Sequence, residues 1–157
     1  MGAGKTSIGK KIAKLLTMPF IDTDNVIVQK HGPIADIFSH HGEEQFRAWE
    51  HDAVRDSIRQ KAVVSLGGGA VIHSETRLLL KPLPVVFLTV DETAVSRRIG
   101  GGSRPLLAGA NPLESWSQIF RSRELFYREV ANTVIDTSRK PMTKIAEQVV
   151  EWMKGKQ

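Results

Sequence analysis

The stretch Met1-Gly2-Ala3-Gly4-Lys5-Thr6-Ser7, which runs on through IGKKIAKLL to Leu16, decides how the rest of the chain is read. A glycine-bearing turn leading straight into an amphipathic segment, with Lys-Thr at the junction, has the form of the second half of a phosphate-binding loop, G-x-x-x-x-G-K-[ST]. Counting back from Gly4 puts the first glycine of that pattern before Met1. A strand and half-turn are therefore expected ahead of the loop, and the natural protein is expected to begin roughly ten residues earlier.

The chemistry of the loop reads from what is present. Backbone N–H groups from Gly2, Ala3, Gly4, Lys5, Thr6 and Ser7 can face phosphate oxygens, with the positive end of the following helix behind them. Lys5 would pair with the β- and γ-phosphates and Thr6 would turn its hydroxyl to Mg²⁺. From this stretch alone, a flexible glycine-containing start ahead of an ordinary helix remains open.

Composition narrows the class. A chain of 157 residues, 41% hydrophobic and 25% charged, suits one soluble globular domain. No run approaches the roughly 18 apolar residues of a membrane span, and no secretory signal pattern is present. The absence of cysteine removes disulfides and thiolate metal sites, and the cytoplasm is the expected location. The net charge of +5 is spread through KKIAK, RSRE and SRK with acids interleaved, and no aromatic-rich basic stretch offers a platform for bases. Small anionic ligands are expected instead of nucleic acid or membrane, and a monomer is expected.

Periodicity orders the chain as alternating helices and strands. A helix spans about Gly4 to Leu16, with Ile8, Ile12, Leu15 and Leu16 at helical spacing. Short strands are expected at PFIDTD, AVVSL, VVFLTV and TVIDT, with VVFLTV apolar on both faces as a central parallel strand should be. Further helices are expected around 25–30, after IADIF from about Gly42, at 74–80, 92–99, 113–121, 123–130 and 142–154. The segment GGGSRPLLAGANP reads as a loop. This alternation predicts βαβ units and a parallel sheet.

Six local patterns stand in order: G-A-G-K-T, D-T-D at Asp22 to Asp24, F-R-x-x-E at Phe46 to Glu50, G-G-G at Gly67 to Gly69, R-P-L-L at Arg104 to Leu107, and R-E-L-F-Y-R-E-V-A from Arg123. Together they resemble the shikimate kinases, and the resemblance runs from Met1 to the final helix. It implies a three-layer α/β P-loop kinase fold around a central parallel sheet, five-stranded in the family with the first strand missing here. Within one domain over 1–157, it implies an acid-binding subdomain at about 24–50 and a lid at about 100–112. The implied reaction moves the γ-phosphoryl of ATP, with Mg²⁺, to the 3-hydroxyl of shikimate.

The resemblance also implies roles. Asp24 contacts the reacting hydroxyl and accepts its proton, and Asp22 supports Mg²⁺ with Thr6. Arg47 and Arg123 grip the substrate carboxylate as forks, Glu50 braces Arg47, and Gly68 and Gly69 offer N–H donors to substrate hydroxyls. Arg104 brings charge to the transferring group when the lid closes, Arg98 matches an adenine contact, and Arg139 is a further candidate on the nucleotide side. Leu125 stands where the family often has proline, and G-P-I-A-D-I-F is shorter than the common form.

Simpler readings stand beside these. Asp22 or Asp24 could cap the next helix, Arg47–Glu50 could be a solvated ion pair, and the triple glycine could be a plain turn. His31, His40, His41, His51 and His73 lack metal-ligand spacing, and most are expected at the surface; Trp49, Trp116 and Trp152 are expected in packing. A kinase for another hydroxy acid such as gluconate, a non-catalytic acid-binding module, and a nucleic-acid binder are the rival functions.

Overall fold

The structure, a computed structural model, describes residues 2–99 and 111–155, with the side chains of all but 98 and 99. The elements run α1 (Lys5–Leu16), β1 (Phe20–Asp22), α2 (Thr23–His31), α3 (Ile34–Ile58), β2 (Val63–Ser65), a 3₁₀ turn (Ala70–Ile72), α4 (Ser74–Leu80), β3 (Val86–Thr89), α5 (Glu92–Ile99), α6 (Pro112–Val130), β4 (Thr133–Asp136) and α7 (Met142–Lys154).

Alternation along β3 shows how the layers form. Val86 and Leu88 pack with Ile8 and Ile12 of α1 and with Ile145 and Val149 of α7. Phe87, between them, turns to the opposite face and meets Tyr127 of α6 at 5.1 Å between ring centroids. On that second face, Val54 of α3, Leu80 of α4 and Val130 of α6 close around Ala70 and Val71. Helices thus cover both sides of the strands, as the α/β reading requires.

The strands form two separate parallel pairs, β1 with β2 and β3 with β4. A largely apolar cavity of about 470 Å³ is lined by Val63 and Val64 of β2, Leu88 of β3, Ile8 of α1 and Phe120 of α6. VVFLTV, expected to be buried on both faces, is half-buried at every residue of β3, because its unpaired side borders this cavity.

Two other expectations change. The helices expected at 113–121 and 123–130 are one helix, α6: nothing near Ser122 breaks it, and Leu125, without the conformational restraint of proline, sits exposed on its surface. IADIF and the longer segment after it merge as α3, bent at Gly42, where φ is 77°. Pro82 follows α4 closely, as expected. Trp116 is buried at the α5–α6 contact, while Trp49 stacks on His31 with ring centroids 3.8 Å apart. His31, His40 and His41 are exposed, but His51 and His73 are half-buried and stacked, centroids 4.6 Å apart, with His51 Nδ1 2.8 Å from Thr76 Oγ1.

Candidate active site

At the start of α1, Gly4 takes a left-handed conformation with φ 82°, a backbone that side chains rarely adopt, and so turns the loop into the helix. Lys5, Thr6 and Ser7 form the first turn behind it, at the end of the helix whose positive dipole favours an anion. Ala3 is buried and anchors the loop, while Gly2 also has a positive φ of 78°.

Thr6 donates its hydroxyl to Asp22 Oδ2 at 2.8 Å. The other oxygen of Asp22 accepts from the backbone N–H groups of Asp24 and Asn25 at 3.1 and 3.3 Å, capping α2. Capping and reaching the loop are thus performed by the same carboxylate. Asp24, freed from capping, lies in the first turn of α2 against Gly67: a Cβ there would come within 2.5 Å of Asp24 Oδ1 and 2.7 Å of Glu50 Oε1. Burial, reinforced by Asp22, raises the Asp24 pKa, while Lys5 and Arg47 pull it down.

Arg47 donates to Glu50 Oε2 at 2.6 Å and to Glu43 Oε1 at 3.1 Å. The Glu50 side chain is only 3% exposed and that of Arg47 11%, so this is no solvated surface pair. Desolvation lowers the Arg47 pKa, and the two glutamates more than reverse it. Burial raises the Glu50 pKa, Arg47 lowers it, Asp24 raises it and Arg123 lowers it, which sets the four charges in one electrostatic neighbourhood. Gly69 lies so close to the Arg47 guanidinium that a Cβ would collide with it. The glycine turn is therefore a packed wall, not a loose connection.

Arg123 is 8% exposed in α6, and its charge acts on Tyr127, whose hydroxyl donates to the Gly68 carbonyl at 2.5 Å. Sequence reasoning missed Tyr127, although it follows Arg123 by one helical turn. It also missed Thr23, fully buried between the two aspartates, whose hydroxyl accepts from the Gly67 N–H at 2.9 Å. Thr23 ties the D-T-D segment to the glycine turn.

The structure thus brings Asp24, Arg47, Glu50, Gly67, Gly69, Arg123 and, through Tyr127, Gly68 into one region, with Lys5 electrostatically coupled to it. Arg139 stands apart, exposed beyond β4 near Asp136. Arg104 and the segment 100–110 lie outside the described residues, as does the side chain of Arg98. Among the described residues no group of three or more His, Asp or Glu side chains could hold a metal. The adjacent oxygens of Thr6 and Asp22 nevertheless suit a hard cation such as Mg²⁺, which takes few protein ligands beside a substrate's phosphates.

The family model for shikimate kinase matches residues 1–154. The chain belongs to the shikimate kinase family. Two curated shikimate kinases are similar throughout: that of Rhodococcus jostii is 38% identical over 152 residues, covering 95% of this chain and 90% of the relative. That of Saccharopolyspora erythraea is 42% identical over 153 residues, covering 96% and 87%. A solved shikimate kinase from Acinetobacter baumannii in complex with shikimate superposes with a TM-score of 0.94 at 33% identity, covering 100% of this chain and 90% of that one. The Bacteroides thetaiotaomicron shikimate kinase gives 0.89 at 28%, covering 98% and 94%. As a shikimate kinase, the chain is an enzyme that transfers a phosphoryl group from ATP, with Mg²⁺, to the 3-hydroxyl of shikimate on the route to aromatic amino acids. Its substrate is a small molecule. No helix among the described residues is long and apolar enough to cross a membrane.

Proposed function

We propose that the buried charge cluster around the glycine turn is the shikimate site and that the Gly2–Ser7 loop is the ATP site, with Asp24 between them. The observation that carries this reading is the placement of Asp24: its carboxylate contacts Gly67 on one side and is electrostatically coupled to Lys5 on the other. Arg47 and Arg123 hold the ring acid, each with donors arranged for a carboxylate. Glu50 keeps the Arg47 guanidinium turned to its task, and Gly68 and Gly69 offer backbone donors to the ring hydroxyls.

Mg²⁺, when bound, would neutralise phosphate charge. Thr6 and Asp22 are the residues that would hold it. Lys5 places its ammonium on the phosphates, and Gly2, Ala3, Gly4 and Ser7 complete the cradle. Asp24 orients the acceptor hydroxyl and takes its proton; burial has raised its pKa, which makes its carboxylate a better proton acceptor than that of an exposed aspartate. Arg98 and Arg139 serve the nucleotide, and Arg104 supplies transition-state charge from a lid at about 100–112; for these three the sequence pattern is the support. One domain spans 1–157, with residues 24–50 as the acid-binding part. A cytoplasmic monomer fits a cysteine-free chain whose proposed site draws every residue from one polypeptide.

The test is a kinetic separation of the two halves. Replacing Arg47 or Arg123 by alanine is expected to raise KM for shikimate by ~10²-fold with little change in KM for ATP, and Lys5→Ala to cut kcat by at least ~10²-fold. Equal effects of Arg47→Ala on both Michaelis constants would contradict the division.

A further inference from the structure

The hydroxyl of Tyr127 lies between the glycine turn and α6. It donates to the Gly68 carbonyl at 2.5 Å, with the Arg123 charge, one helical turn earlier, acting on it. The ring is held by aromatic neighbours, Phe87 of β3 at 5.1 Å and Phe120 of α6 at 6.5 Å between centroids. A phenol placed this firmly has little rotamer freedom left, so it can act as a fixed reference for groups that are otherwise free to turn.

The geometry of a peptide unit makes the Gly68 contact consequential. The carbonyl of Gly68 and the N–H of Gly69 belong to one planar trans unit and point in opposite directions. Holding the carbonyl toward Tyr127 therefore aims the Gly69 N–H away from α6. Gly68 and Gly69 have no side chains to fix that plane, and the two turn bonds, Ala70 N–H to Gly67 O and Ile72 N–H to Gly69 O, leave the unit between them unpinned.

We propose that Tyr127 is a positioning residue for shikimate: its hydroxyl orients the Gly68–Gly69 peptide beside Arg123. This rests on the reading of Gly69 and Arg123 as shikimate contacts. Burial raises the Tyr127 pKa, so the hydroxyl remains a donor across the working pH range. The phenylalanine variant removes only the hydroxyl and keeps the ring contacts.

The experiment compares wild type with Tyr127→Phe, reading KM for shikimate, KM for ATP, kcat, the dissociation constant for shikimate without nucleotide, and Tm. The expected result is a rise of about tenfold in both KM and dissociation constant for shikimate, with KM for ATP and kcat changed less than about threefold. An unchanged shikimate KM, or parallel changes in both Michaelis constants, would overturn the proposal. A Tyr127→Leu variant, which also removes the ring contacts, is expected to lower Tm and kcat in addition; if Tyr127→Phe already matches it, the role is merely structural and the proposal fails. Wild-type turnover of shikimate separates the two levels: without it the underlying site reading fails, whereas turnover with an unaffected phenylalanine variant sinks only the role of Tyr127.

Discussion

Gly69 and Arg47 are packed so closely that no side chain larger than hydrogen fits between them. The contact joins the turn after β2 to the middle of α3, and it sets how far the guanidinium can swing. Gly69→Ala is therefore expected to displace Arg47 from Glu50 and to raise KM for shikimate by at least ~10-fold, with KM for ATP nearly unchanged. Steady-state kinetics with each substrate varied in turn checks this.

Glu50 supports Arg47 from an almost fully buried position. Glu50→Ala leaves the guanidinium buried beside fewer partners, which costs about 3–5 kcal/mol for a broken buried pair. Thermal unfolding followed by circular dichroism should show a large fall in Tm. A fall no bigger than that produced by removing an exposed ion pair, such as Lys144–Glu147, would mean that the pair is solvated.

Asp24 trades stability for reactivity. Its folded-state pKa is raised above 3.8 by burial and by Asp22. Its contribution to stability is thus fully present below the unfolded value and is lost as pH rises through the folded one. Asp24→Asn is expected to melt higher than wild type near neutral pH, the difference shrinking as pH falls below the folded pKa, while turnover drops by at least ~10²-fold. Differential scanning at several pH values, paired with activity, measures both.

Much of this arrangement was legible in the sequence, and the reasons differ by residue. The ends of α4, α5 and α7 agree with expectation because apolar spacing marks them, with a nearby proline at α4 and α7. Arg47–Glu50 was visible as an i,i+3 pair, but its burial was not, since that depends on the glycine turn reaching α3 from a distant part of the chain. Asp22 was read as either cap or metal support; only the structure shows its two oxygens facing Asp24 and Thr6 separately. Thr23 and Tyr127 escaped notice because a threonine between acids and a tyrosine in an apolar stripe look like ordinary packing. The half-buried state of β3 follows from an unpaired edge, which strand periodicity cannot reveal.

The most direct test is ADP release by the folded chain with Mg·ATP, measured with and without shikimate, beside Asp24→Asn. Release that requires shikimate and falls at least ~10²-fold in the variant is predicted. Release indifferent to shikimate, or undiminished without the Asp24 carboxylate, would contradict the account.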